Sequence, residues 1–265
     1  MENLSKNANR FMGFAELYDN ARPRMPLYPV EIITGYLGKR PKLVADLGCG
    51  TGLSSEIWKA YADAVVGVEP SDDMRAVASA KEGENLTFIK GYAHETGLAE
   101  GCADAVVCSQ SFHWMEPVVT LTEVNRILRQ GGVFATVDCD WPPVGDWQAE
   151  EAYLALIDHV SAVEHANPEF QQSYFRWDKK KHLENIRRSG WFRYCREIVF
   201  SNREPCTAER FVGLALSQGG LQGILKRKPE LVADQVETFR RRIVALYGNR
   251  EFTVDFCYRM RVGVK

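Results

Sequence analysis

The chain has 265 residues, 33 basic against 35 acidic side chains for a net charge of −2, and 45% hydrophobic and 26% charged content. This is ordinary globular composition, long enough to bury a core without disulfide or metal staples, and the missing basic excess weighs against a protein that lives on nucleic acid phosphates. No apolar run approaches the ~20 residues of a membrane span, and the opening MENLSKNANRF lacks the apolar centre of a signal peptide. Seven cysteines, an odd number with no CxxC pair, read as reduced thiols. The expectation is a cytoplasmic protein without a membrane or nucleic acid partner.

Short β-branched runs alternate with helical stretches through the first half: strands at 42–46, 64–69, 85–90, 104–109 and 132–138, with helices near 52–62, 71–81 and 117–129. Strands apolar on both faces, alternating with helices, predict an α/β fold with a mostly parallel sheet covered on each side. The helix near 117–129 has Pro117 at its start and Gly131-Gly132 as its expected stop. WPPVGDW at 141–147 breaks the pattern, and helical segments follow to about 190. A strand at 194–201, a helical region at 207–247 and a last strand at 252–265 complete the chain. No linker divides it, so residues 1–265 are expected to form one domain: an N-terminal lid at 1–40, a ligand-binding core at 41–140, a helical cap insertion at 141–190, and C-terminal strands and helices at 191–265.

The segment Asp46-Leu47-Gly48-Cys49-Gly50-Thr51-Gly52 follows the first strand and precedes a predicted helix. Glycines there permit a sharp turn and the close approach of a ligand, and a helix N-terminus offers unpaired N–H groups. Glu69 ends the second strand, where a carboxylate can accept both hydroxyls of a ribose. An adenosine held this way fits either a dinucleotide or S-adenosylmethionine. The G-x-G-x-G spacing departs from the dinucleotide pattern, and Asp46 would repel a pyrophosphate but orient an ammonium. S-adenosylmethionine is therefore the favoured ligand.

At these residues the chain resembles the class I S-adenosylmethionine-dependent methyltransferases, in particular their small-molecule branch with trans-aconitate methyltransferase. VADLGCGTG at 44–52 is similar to the first motif, GVEPSDDM at 67–74 to the second, LAEGCADAVVCSQSFHWM at 98–115 to the fourth-strand motif and RILRQGGVFATVD at 126–138 to the fifth. The resemblance implies a Rossmann-like seven-stranded sheet of order 3-2-1-4-5-7-6 with strand 7 antiparallel. It also implies S-adenosyl-L-methionine as cofactor, with S-adenosyl-L-homocysteine as product. Its cofactor-binding residues would be Asp46, Gly48, Cys49, Gly50 and Gly52 in the loop, Glu69, Pro70 and Met74 after the second strand, and Ser109 and Gln110 after the fourth. Tyr18 and Arg22 or Arg24, in the FAELYDNARPRMPLYP stretch at 14–29, would close over the methionine end. Many relatives carry an acid after the third strand; here Gly91-Tyr92-Ala93-His94 stands in its place, so adenine recognition falls to Tyr92, Ala93 and His94.

The expected reaction is methyl transfer to an oxygen or nitrogen of a small-molecule acceptor. The alternatives are a non-catalytic S-adenosylmethionine-binding regulatory module and a nicotinamide-dependent oxidoreductase. His113 is either a general base or a pocket wall. His159, His165 and His182 lie in helical sequence without a metal-ligand spacing, so no metal is expected. Asp138, Asp140 and Asp146 could select a basic acceptor and Arg176 a carboxylate, which leaves the acceptor's charge open. The basic runs at 226–228 and 240–242 read as solvated helix faces.

Overall fold

The structure is a computed structural model that describes residues 13–171 and 175–265. Seven strands form one sheet in the order β3-β2-β1-β4-β5-β7-β6. They are β1 (Leu43–Leu47), β2 (Ala64–Val68), β3 (Leu86–Ile89), β4 (Ala103–Ser109), β5 (Leu128–Cys139), β6 (Tyr194–Cys206) and β7 (Phe252–Val264). β3, β2, β1, β4 and β5 pair in parallel, with Val44 opposite both Val65 and Ala105, and Ser109 opposite Val137. β7 runs antiparallel to β5, placing Asp138 opposite Arg259. The sheet order and the reversed seventh strand agree with the expectation from sequence.

Two compact units can be distinguished. The first holds Arg24–Cys139, Arg176–Phe200 and Tyr258–Lys265. Its helices are α1 (Leu27–Leu37), α2 (Asp72–Ser79), α3 (Pro117–Ile127) and α4 (His182–Arg188). α3 starts where the sequence places it: Pro117 occupies the first turn, and the Glu116 carboxylate accepts the Val118 and Val119 N–H groups. It buries Leu121, Val124 and Ile127, in one cluster with Phe112 and Phe134 beneath the sheet. Each such side chain contributes about 1.5–3 kcal/mol by leaving water.

The second unit comprises, among the described residues, 13–23, 140–171, 175 and Ser201–Cys257. It carries α5 (Ala15–Ala21), α6 (Trp147–Ala166), α7 (Pro168–Gln171), α8 (Ala208–Leu216), α9 (Gly219–Arg227) and α10 (Ala233–Tyr247). Its centre is aromatic: Tyr153 meets Phe211 and Phe239 edge-on, and Tyr247 stacks on Phe252. No helix among the described residues is long and apolar enough to cross a membrane.

Local departures from the sequence reading have identifiable causes. Residues 52–62 do not form the expected α-helix; they turn sharply and close in a short 3-10 segment at Glu56–Ala60. The Ser54 and Ser55 hydroxyls both donate to Asp46 Oδ2 at 2.6 Å, which draws this segment inward onto the strand end. α3 stops at Ile127, not at Gly131-Gly132, and β5 begins at once with buried Leu128. The Lys265 ammonium satisfies the helix end by donating to the Asn125 and Leu128 carbonyls. The expected helical region at 207–247 is broken into α8, α9, a 3-10 turn at Pro229–Leu231 and α10.

The serine hook yields a first prediction. Replacing Ser54 and Ser55 together by alanine leaves a buried carboxylate without its donors and lowers the free energy of unfolding by about 1–3 kcal/mol. Urea unfolding at neutral pH measures it.

Candidate functional site

The glycine loop leaves the carboxyl end of β1, where ligands meet open α/β sheets. A Cβ on Gly48 would stand 2.7 Å from Met115 Cε and 2.8 Å from Ser111 Cβ, so this residue has to be bare for the loop to pack on the segment after β4. Gly50 differs: its φ is +57°, and nothing lies within 4 Å of where its Cβ would be. Its backbone is therefore left-handed and approachable. Cys49 is buried, and burial, reinforced by the charges of Asp46 and Glu69, pushes its thiol well above the usual range.

Two acids frame this loop. Asp46 is fully buried; Oδ2 takes both serine hydroxyls while Oδ1 has no hydrogen-bond partner among the described residues. Burial raises its carboxyl to about 6 against the serine hydrogen bonds. Glu69, just past β2, accepts the Gly50 N–H on Oε2 at 3.0 Å and the Ser71 N–H on Oε1 at 2.9 Å. Each oxygen keeps a further lone pair. Burial raises this carboxyl to about 7, opposed by those two backbone donors. Ser71 also caps α2, on whose first turn Met74 is buried. The Pro70 carbonyl accepts from Arg75. After β3, the rings of Tyr92 and His94 lie 5.5 Å apart around buried Ala93.

Past β4 the chain is strained and heavily charged. Ser109 is the last strand residue, and Gln110 takes a left-handed φ of 54° while its N–H holds the Val137 carbonyl at 2.8 Å. Gln110 Oε1 accepts from Lys179 Nζ at 3.2 Å. That ammonium also lies 3.0 Å from Asp138 Oδ1, and Arg261 Nη1 donates to Asp138 Oδ2 at 2.9 Å. Burial alone would raise the Asp138 carboxyl, but Lys179, His113 and His182 hold it well below the usual range. His113 Nδ1 is 3.5 Å from Asp138 Oδ1 and His182 Nε2 is 3.7 Å from Oδ2. Burial lowers His113 to about 3, with Lys179 adding to the effect, and burial lowers His182 to about 4. The ligand atoms of His113, Asp138 and His182 lie within 4.8 Å of one another, but a dication there would meet Lys179 and Arg261 on the same carboxylate. The segment after Phe175 is tied to this loop: the Trp177 N–H donates to the His113 carbonyl at 2.8 Å, and Arg176 lies over the Trp114 ring at 5.8 Å.

Comparison with known proteins identifies the domain that carries this geometry. Residues 45–136 match the family model described as a methyltransferase domain. They are a methyltransferase domain. An uncharacterized methyltransferase of Mycobacterium bovis is 36% identical over 147 residues, 55% of this chain and 55% of the relative. The match thus spans about half the length of this curated relative. Among solved structures, a type II methyltransferase candidate from Anaeromyxobacter dehalogenans aligns with a TM-score of 0.64 at 20% identity, over 92% of this chain and 97% of that one. A phosphoethanolamine N-methyltransferase of Haemonchus contortus, solved with phosphomonomethylethanolamine and S-adenosylhomocysteine, aligns with a TM-score of 0.54 at 15% identity, over 98% of this chain and 58% of that one. At such identities the two structures show the methyltransferase fold.

The methyltransferase domain contains the sequence-derived candidates from Asp46 to His113, and it brings the glycine loop and Glu69 into direct contact. Tyr18 and Arg22 lie in the other unit. There the Arg22 guanidinium stacks on Tyr18 and Trp141 at 5.0 and 4.5 Å and donates to the Ser217 hydroxyl and carbonyl. Asp138 is not free to select a basic group, since Lys179 and Arg261 already hold it. His182, which has no metal-ligand spacing in the sequence, is fully buried beside it. Lys179 and Arg261 carry no signal in the sequence: a lysine run in a helical insertion and an arginine in a terminal strand belong to no motif.

The shifted groups fix the pH response of the ligand-free protein. Asp46 and Glu69, ordinarily at 3.8 and 4.5, hold their protons to about 6 and 7 when folded, so their contribution to stability is lost as pH rises through that interval. The two histidines act oppositely: unfolding lets them take a proton below about 6.5, so acidification from there toward 4 destabilises the fold. In Glu69→Gln the decline between pH 5 and 7.5 becomes shallower; in His182→Gln the acid-side decline shrinks by about 1–3 kcal/mol. Thermal unfolding across pH 4–8 reads both.

Proposed function

We propose that this protein is an S-adenosylmethionine-dependent methyltransferase acting on an oxygen or nitrogen of a small molecule. The observation that carries the proposal is the Glu69 carboxylate, bridging the glycine loop and the start of α2 through backbone N–H groups, with a lone pair left on each oxygen. That arrangement suits two vicinal hydroxyls, as on a ribose. Gly50 leaves open space beside it, and the unpartnered Asp46 Oδ1 lies at the strand tip, suited to an ammonium directly or through water. These features fit the cofactor. When bound, S-adenosylmethionine supplies a methyl group already activated on a sulfonium and leaves as S-adenosylhomocysteine.

The chain's own task is alignment and exclusion of water. Gly48 lets the loop seat against Ser111 and Met115, and Met74 gives the second-strand end an apolar neighbour. A general base works best with a pKa near the operating pH. His113, lowered to about 3, is neutral under physiological conditions and weakly basic, which supports the role of pocket wall. The basic runs are engaged within the chain: Arg227 lies over Phe170, Lys228 pairs with Glu169, and Arg242 pairs with Glu151. This favours a small acceptor over a nucleic acid. The cysteines stand as thiols without a disulfide among the described residues, in keeping with action in the reducing cytoplasm.

Calorimetric titration tests the proposal. S-adenosylmethionine and S-adenosylhomocysteine bind and NAD does not; the reverse result, or no binding by folded protein, refutes it. Glu69→Ala weakens S-adenosylhomocysteine binding by about 2 kcal/mol, some ~30-fold. Because Glu69 has to shed a proton to accept both hydroxyls, the wild-type Kd rises about tenfold from pH 8 to pH 6, and Glu69→Gln removes that dependence.

A further inference from the structure

We propose that the methyl acceptor presents an anionic oxygen, and that Lys179 and Arg176 are the residues that select it. The inference rests on the methyltransferase reading above and names the acceptor class for that site.

Position comes first. Lys179 Nζ touches Gln110 Oε1, one residue past β4, and Asp138 Oδ1, at the end of β5. It therefore stands over the carboxyl ends of two adjacent strands, beside the point between β1 and β4 where the strand order reverses and where ligands of such sheets lie. An ammonium has three donors; two are directed at Gln110 and Asp138, which leaves a third. Arg176 lies over the ring of Trp114, the neighbour of His113, and the next residue, Trp177, donates its N–H to the His113 carbonyl at 2.8 Å.

Charge decides the sign. Asp138 is matched by Lys179 and Arg261, and Arg261 is matched in turn by Glu197, at 2.8 Å from its Nε. Those four groups cancel. His113 and His182 are neutral near pH 7. Asp178 is exposed and turns its carboxylate to the Lys180 N–H of its own turn. Arg176 makes no ion pair among the described residues, and its guanidinium faces Trp114, so the β4–β5 side of the site, away from Asp46 and Glu69, carries a surplus positive charge. A cationic acceptor would approach against that charge, and an anionic one would gain a charge-assisted hydrogen bond from Lys179.

The chemistry agrees. An anionic oxygen needs no base: its lone pair forms the new O–C bond as the C–S bond of the sulfonium donor breaks, and that electron pair stays on sulfur. The product is a neutral methyl ester or ether from a singly charged acceptor, and no proton is released. A hydroxyl or ammonium acceptor would have to pass a proton to His113, which burial and Lys179 make a poor recipient.

The test uses full-length protein saturated with S-adenosylhomocysteine, titrated calorimetrically with three probes on one scaffold: 3-phenylpropionate, 3-phenylpropyl phosphate and 3-phenylpropylammonium. The expected result is that at least one anion binds about tenfold or more tightly than the ammonium, the two anionic arms separating a carboxylate preference from a phosphate one. Lys179→Gln reduces that preference about tenfold, Lys179→Arg retains it, and S-adenosylhomocysteine affinity is unchanged in both. Arg176 is exposed, so Arg176→Gln folds irrespective of Asp138; it lowers the preference about threefold. Equal or better binding of the ammonium, failure of both anions to bind, or a preference untouched by either charge removal overturns the proposal. Loss of S-adenosylhomocysteine binding in the wild type instead removes the methyltransferase reading, and this proposal with it.

Discussion

A carboxylate taken out of water has to be supplied with donors or it gives up its charge. Three acids stand at or just past the carboxyl ends of β1, β2 and β5, all at most 8% exposed, and each meets that constraint with a different kind of donor. Asp46 receives hydroxyls, Glu69 receives backbone N–H groups, and Asp138 receives an ammonium and a guanidinium. The shape of the glycine loop, the entry to α2 and the docking of the segment after Phe175 each follow from one of these solutions.

The three solutions also leave the acids with different chemistry. Dipolar donors only partly offset burial, so Asp46 and Glu69 stay near neutrality in their titration, at about 6 and about 7. Such groups respond when a ligand brings hydroxyls or a positive charge. Full cations overcompensate at Asp138, which remains ionised and silent. The loop side of the site is thus electrostatically adjustable, and the β4–β5 side is fixed and positive.

Much of this was legible in the sequence where the signal is local. Runs such as AVVGV and DAVVCS mark buried parallel strands, and the glycines with Glu69 fall within a single strand-loop-strand unit. What could not be read depends on contacts between distant residues. Asp138 meets Lys179 and Arg261 across 41 and 123 positions, and no periodicity announces such a pairing. The missing helix after Gly52 has the same origin at shorter range: Ser54 and Ser55 look like ordinary helix-start residues until their hydroxyls are seen to be committed to Asp46. At Gly131-Gly132 the residue type misled, because the helix end is satisfied by Lys265 from the far end of the chain.

Cys49 shows what the two neighbouring acids do beyond holding the loop. A methyl sulfonium is an alkylating agent, and a thiolate within its reach would be a better nucleophile than most metabolites. Burial beside Asp46 and Glu69 keeps this sulfur as a thiol. If the loop holds S-adenosylmethionine as proposed, the acids that shape it would also guard its own wall from methylation.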